Sequence, residues 1–291
     1  MEIRKLRYFL TIVEEKSITQ AAKVLHITQP TLSRQMRELE EELETDLFIR
    51  KNRKVFLTEA GKILKSRAEE ILILNDKTEQ EFQNKSQELL SGQLSIGAVE
   101  AENSDTLATF LEEMLAEHPQ VTFNIYSGTG DNILDRLDKG LLDVVLLSEP
   151  ISTEKYDKVI LPKKERWGLL VSRNSFLASK SEIHSEELVG LPIISPFRFD
   201  VQKMIYSWSG LAVKLNIIGT YNLIFNVFSL VENGIGLALA MEGAISPRQP
   251  DSLKFLPLVP EIKTNCVLAW RKNTTLSPTT DIFIKKVKNA F

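Results

Sequence analysis

Between residues 17 and 57 the apolar positions fall first at helical spacing and then in a short, basic, alternating run. The pattern predicts two short helices around a tight turn, then a longer helix, then a basic hairpin. Ser17, with Gln20 three residues on, carries a capping-box signature that starts a helix through Ile18–Leu25. Thr28 is placed to cap the next helix, and Pro30 is tolerated there because first-turn N–H groups have no intrahelical acceptor to lose. In that helix Leu32, Met36, Leu39 and Leu43 recur at steps of four, three and four, so they share one face that is expected to be buried. Thr28, Gln29, Pro30, Thr31, Ser33, Arg34 and Arg37 are left on its early, outward surface. Amide and guanidinium groups hydrogen-bond base edges in pairs, and hydroxyls serve base or phosphate. With Arg50 and Arg53 of the hairpin, these residues form a candidate DNA-binding surface on a winged helix-turn-helix. A solvated polar face would account for any one of them alone. The capped helix, the short turn, the polar first half of the next helix and the basic hairpin together favour double-stranded DNA.

After the hairpin Thr58 caps a proline-free stretch predicted to be helical from about Glu59 to about Leu90, roughly 45 Å at 1.5 Å per residue. Leu64, Ala68, Ile71, Asn75, Thr78, Phe82 and Leu89 follow alternating steps of four and three, with Lys85 as the weak member. Such a stripe suits a paired helix, with Asn75 fixing the register, and identifies a dimerisation linker ended by Ser91-Gly92. From Gln93 short apolar strands alternate with helices. Strands are expected at QLSIGAV, VTFNIY, LLDVVLLS, RWGLLVS, LPIIS, KLNIIG, GIGLALA, LKFLPL and NCVLAW. Helices are expected around Ser104–Ala116, Asp131–Lys139, Tyr221–Glu232 and Thr279–Ala290. This alternation implies parallel α/β sheets in two lobes, a class that binds small ligands beyond the carboxyl ends of its strands. The boundaries read as 1–58 for the winged domain, 59–91 for the linker and 92–291 for an effector domain.

Charge sharpens the division. Residues 1–65 hold thirteen Lys+Arg against ten Asp+Glu, net +3, while the whole chain is −3, so the remainder carries −6. The positive end coincides with the reading helix and wing, where a phosphate backbone would lie. With 43% hydrophobic and 26% charged residues, and no apolar stretch near the roughly 20 residues that span a bilayer, the expectation is a cytoplasmic protein without a membrane partner. Cys266 sits in an apolar run, as a buried inert thiol would. His26, His118 and His184 have no metal-ligand spacing, so neither metal nor cofactor is expected.

The chain resembles the LysR-type transcriptional regulators. The likeness runs the full length and is most specific at LRYFLTIVEEKSITQAAKVLHITQPTLSRQMRELEEEL, followed by Leu47, Phe48, Arg50, Arg53 and Leu57–Gly61. VENGIGLALA at 231–240 and GLLDVVL at 140–146 match its effector domain. The resemblance implies a winged helix-turn-helix, a long linker helix and a two-lobed α/β effector domain similar to periplasmic binding proteins. Lobe I would comprise about 92–161 and 268–291, and lobe II about 162–267, with crossings near 161–163 and 266–268. It further implies homodimers and homotetramers on interrupted palindromes. Glu44 stands where the family usually has Gly, and Met241 where it has Pro. By the same resemblance a small-molecule effector is bound by Glu100, Ala101, Glu102, Ser127, Gly128, Thr129, Ser148, Glu149, Ser195, Phe197, Arg198 and Phe199. Arg198 is placed to offset Glu100 or to pair with it and hold the cleft shut.

Three rival functions compete with this reading. An enzyme is disfavoured because the chain offers no Gly-rich phosphate loop, ligand cluster or nucleophile–base pair. A solute-binding protein is disfavoured by the intact reading helix and the lack of an export signal. A regulator that needs no effector remains distinct, and a metabolite panel separates it.

Overall fold

The computed structural model describes residues 1–51, 54–84, 90–210, 215–245 and 249–291. The chain forms two compact units, Met1–Ser86 and Gln87–Phe291.

In the first unit α1 (Ile3–Glu15), α2 (Ile18–Val24) and α3 (Gln29–Glu42) precede a two-stranded hairpin, β1 (Phe48–Lys51) with β2 (Lys54–Leu57), and then α4 (Glu59–Asn84). Among the described residues two helices lie between 17 and 57: α3 is itself the longer one, and the third helix of the bundle is α1, ahead of the motif. Leu6, Phe9 and Ile12 of α1 pack with Ala21, Leu32, Met36 and Leu39 in one core. Leu43 does not join it, because it is the C-cap of α3 and is 37% exposed. Both expected caps form: Ser17 Oγ accepts from Gln20 N–H at 3.4 Å, and Thr28 Oγ1 from Thr31 N–H at 3.4 Å. Each of the three helices is followed by a non-glycine residue in the left-handed region, Lys16, His26 and Glu44. At His26 and Glu44 the following residue closes the helix, Ile27 N–H onto Ala22 O at 3.0 Å and Thr45 N–H onto Glu40 O at 3.1 Å. Glu44 thus keeps the backbone conformation that favours glycine.

Thr58 Oγ1 caps α4 by accepting from Gly61 N–H at 2.9 Å. The 26 described residues of α4 span about 39 Å. The stripe along it has two fates. Leu64 and Ala68 are buried in the core of this unit, with Ile71 packed at its edge. Asn75 instead hydrogen-bonds Glu79 on its own helix at 3.0 Å, and Phe82 is 67% exposed. Lys85 and Leu89 lie outside the described residues.

In the second unit, β3 (Ser91–Ala98), α5 (Ser104–Glu117), β4 (Gln120–Ser127), α6 (Gly130–Asp138), β5 (Val144–Ser148) and β6 (Tyr156–Ile160) build the first lobe. Ser91 and Gly92 therefore belong to β3 rather than to a helix end. The second lobe holds β7 (Glu165–Ser172), β8 (Ile183–His184), β9 (Pro192–Pro196), α7 (Phe199–Ser209), β10 (Asn216–Tyr221), α8 (Phe225–Glu232), β11 (Leu237–Met241), α9 (Glu242–Ile245), β12 (Leu253–Val259) and β13 (Lys263–Thr264). The chain then returns to the first lobe with β14 (Cys266–Arg271) and α10 (Pro278–Ala290).

Among the described residues the first sheet runs β4-β3-β5-β14-β6 and the second β10-β9-β11-β7-β12-β8, with β13 on β7. Both are mixed, not parallel as the alternation suggested. β3 pairs β4 and β5 in parallel, but the returning β14 runs antiparallel to β5 and β6. In the second sheet β7 is antiparallel to β11 and β12. The physical reason is the double crossing: strands arriving from the other lobe need no helical crossover, so nothing forces them parallel. Apolar layers cover both faces of each sheet.

Candidate functional sites

Two regions gather the expected functional side chains. From the N-cap Thr28 along α3, Gln29, Pro30, Thr31, Arg34 and Arg37 are exposed. Ser33 is not: it is 5% exposed, because it follows Leu32 by one residue and precedes Met36 by three, at the margin of the buried face. Gln29 Nε2 donates to Ser33 Oγ at 2.7 Å, so these two are engaged with each other. Arg34 leans towards Glu38 one turn on, at 3.6 Å. The helix is anchored at its other end, where the buried Lys5 ammonium pairs with Glu42 and the chain's amino group reaches Glu42 at 3.0 Å. Glu40 Oε1 accepts from Leu47 and Phe48 N–H at 2.8 and 3.2 Å, tying α3 to the root of the wing. In the wing Arg50 stands opposite Val55. Arg53 lies outside the described residues.

The second region is a cavity of about 80 Å³ between the lobes of the second unit. Of the expected residues, Glu100, Gly128, Thr129, Ser148, Glu149, Phe197 and Arg198 line it. The others are elsewhere. Ala101 is in the core of the first lobe. Glu102 pairs with Lys163 at 3.4 Å. Ser127 faces a groove between α5 and β4. Ser195 is buried, with its Oγ turned to Pro196 O at 3.3 Å, and Phe199 is exposed at the start of α7. Sequence reasoning missed Trp167, Val201, the turn Tyr221–Ile224, Met241 and Ala244. The turn ahead of α8 could have been flagged by its polar Asn222 before an apolar helix, but the apolar Val201, Met241 and Ala244 carry no such signal.

The polar groups of the cavity are held as follows. Glu100 Oε2 accepts from Ile224 N–H at 3.0 Å, where α8 begins. Glu149 Oε2 accepts from Asn265 Nδ2 at 2.9 Å. Arg198, whose side chain is 13% exposed, does not pair with Glu100; its Nη2 donates to Pro150 O at 2.9 Å and its Nε to Asp131 at 3.3 Å. Thr129 precedes the first turn of α6, and its buried Oγ1 has no hydrogen-bond partner among the described residues. Burial and the charge of Glu100 push the Tyr221 phenol up, and its O–H donates to Leu239 O at 2.7 Å. At the first crossing Glu165 is fully buried, and burial raises its carboxyl above the usual range. Its Oε1 accepts from Glu102 N–H at 2.8 Å. Burial likewise raises the Cys266 thiol, as suits an inert core residue.

The family model described as "LysR substrate binding domain" matches residues 87–291, and that described as "Bacterial regulatory helix-turn-helix protein, lysR family" matches residues 3–62. The chain belongs to the LysR family. It is a DNA-binding transcriptional regulator with an effector-binding domain, as its resemblance implied. It is 29% identical over 245 residues to the nitrogen assimilation regulatory protein nac of Escherichia coli (strain K12), covering 84% of this chain and 79% of that protein. It is 36% identical over 158 residues to the regulator BsdA of Bacillus subtilis (strain 168), covering 53% of each. Full-length CbnR complexed with its target DNA superposes with a TM-score of 0.78 over 100% of both chains, at 21% identity, a likeness of fold. Full-length BenM gives 0.55 at 25% identity, over 100% of this chain and 97% of that one. Among the described residues no helix is long and apolar enough to cross a membrane.

Proposed function

We propose that this LysR-family chain acts in the cytoplasm, without catalysis or cofactor, as a homo-oligomer on an interrupted-palindromic promoter site, and that a small molecule in the interlobe cavity regulates it. The observation that carries the DNA half is the exposed face of α3, where Gln29, Arg34 and Arg37 follow a capped, tightly closed turn. Arg34 reads a base edge and Arg53 of the wing holds phosphate or enters the minor groove. Arg34→Ala should then cost about 1–3 kcal/mol and relax sequence preference, whereas Arg53→Ala weakens all sites and lowers the salt slope. Isotherms on specific and scrambled duplexes at several salt concentrations test this. Unchanged specificity in Arg34→Ala refutes it.

Pairing is assigned to the outer half of α4, since one reading domain covers only a half-site. Phe82→Glu should weaken assembly in light scattering together with operator affinity. Wild-type assembly in that variant removes α4 from the interface. A second reading, a regulator that needs no effector, is favoured by one observation: Arg198 to Pro150 and Glu100 to Ile224 already bridge the lobes with the chain's own groups. Thermal stabilisation by a broad metabolite panel separates the two.

A further inference from the structure

The interlobe cavity is lined by charges of both signs, Glu100 and Arg198, each held by a different partner. Glu100 enters from the first lobe and is steadied by one backbone N–H, that of Ile224. Arg198 enters from the second lobe and is steadied by Asp131 and Pro150 O. Among the described residues no ion pair joins Glu100 to Arg198, so the cavity keeps a guanidinium end, shared with Asp131, and a separate carboxylate end.

The guanidinium end offers three kinds of donor beside the acceptors Asp131 and Pro150 O that already hold Arg198. α6 starts there with no side-chain bond from its N-cap Thr129, so its first-turn N–H groups can donate to an anion beside the first-turn carboxylate of Asp131. Arg198 Nη1 lies over the bare Cα of Gly130, where an added Cβ would be 3.6 Å away. The third donor is the Thr129 hydroxyl, on a residue only 6% exposed that lines the cavity and has no partner among the described residues. A buried hydroxyl without a partner is unfavourable unless something fills the site and accepts from it. The negative end is an acceptor only: the carboxylate of Glu100 has lone pairs beyond the one spent on Ile224. Val201, Met241 and Ala244 supply an apolar part of the lining.

Charge accounting narrows the ligand. Glu100 and Glu149 line the cavity and Asp131 adjoins it, against a single guanidinium. A plain anion would add to this acidic surplus. A plain cation would leave Thr129 and the α6 donors unmatched. We infer that the effector is a compact zwitterion, an α-amino acid with a small aliphatic side chain. Its carboxylate is received by Thr129 and the start of α6 beneath Arg198, its ammonium by Glu100, and its side chain by the aliphatic wall. A cavity of about 150 Å³ accommodates benzene, so one of about 80 Å³ with the lobes as they stand suits a smaller body. The inference rests on reading this cavity as the effector site.

The test uses the full-length protein and a matched set. L-valine carries both charged groups, isovalerate lacks the ammonium, and isobutylamine lacks the carboxylate; L-alanine and L-leucine vary the side chain. Binding is followed by calorimetry and by the shift in melting temperature. At least one of the three amino acids should bind, and isovalerate and isobutylamine should each bind about tenfold or more weaker than L-valine or not at all. Glu100→Gln keeps an acceptor for Ile224 N–H but loses the charge, and should erase the preference for the ammonium. Thr129→Val is isosteric and should weaken the hold on the ligand's carboxylate. Melting without ligand confirms that both variants fold. If isovalerate or isobutylamine matches L-valine, or none of the amino acids binds, the zwitterion is wrong. If a ligand binds and loses affinity in Thr129→Val but not in Glu100→Gln, the class is wrong while the cavity stands. If an amino acid binds equally well to both variants, the cavity itself is the wrong place.

Discussion

Glu44→Gly should stabilise the first unit, and the size of the effect follows from the backbone. Glu44 has φ 51°, immediately after the C-cap of α3, and its N–H is bonded to Glu41 O at 3.2 Å. An L-residue held in the left-handed region costs about 1–2 kcal/mol relative to the right-handed one. Glycine avoids that cost but loses about 0.5–1 kcal/mol more conformational entropy on folding. A carboxylate at the negative end of a helix that already carries Glu40, Glu41 and Glu42 is unfavourable by about another 0.3 kcal/mol or more. The net gain is therefore about 1 kcal/mol, or about 4–8 °C for a unit of this size. The assay exploits an asymmetry of composition: all three tryptophans, Trp167, Trp208 and Trp270, lie in the second unit. Tryptophan fluorescence therefore follows the second unit alone, while far-UV circular dichroism also reports the helices of the first. The helical transition should rise with the fluorescence transition unmoved. Glu44→Ala keeps the Cβ and removes only the charge, so it should give the smaller, electrostatic part of the gain. If alanine stabilises as much as glycine, the backbone argument fails.

Two further outcomes follow from close approaches and buried charge. In Gly61→Ala the new Cβ would lie 2.2 Å from Leu47 O, so an overpacking cost of about 1–3 kcal/mol should exceed the helix-propensity gain of about 1 kcal/mol, lowering the helical transition but not the fluorescence one. Glu165 has a folded pKa raised by burial, so the folded chain binds its proton more tightly and this group's contribution falls as pH rises above about 4.3. Glu165→Gln should therefore gain stability relative to wild type with rising pH in fluorescence-monitored urea melts, and parallel pH profiles would refute the assignment.

The sequence made the local elements legible wherever one apolar face met one solvent. The caps at Ser17, Thr28 and Thr58 formed as the side-chain chemistry required. α7 escaped notice because its buried face rests on Val201 and Ile205 between polar residues, too narrow a stripe to stand out. β6 escaped because it is an edge strand with little alternation in its burial. The cavity was legible only in part, since its charges are settled by partners far along the chain. Arg198 meets Asp131 across 67 residues, and Glu100 meets Ile224 across 124. No local pattern distinguishes those pairings from the alternative in which Arg198 turns to Glu100.

The α4 stripe makes the same point about periodicity and decides how pairing should be tested. Steps of four and three identify a continuous face but not what covers it. Leu64 and Ala68 are covered by the unit's own core, whereas Phe82, further along the same stripe, is exposed. A charge at Leu64 would be buried among Leu6, Phe9 and their neighbours without a partner, and losing that packing alone costs about 2–5 kcal/mol. Such a variant would lose assembly by unfolding the reading domain, whatever the helix pairs with. A charge at Phe82 leaves that core intact, so a loss of assembly there reports on pairing itself.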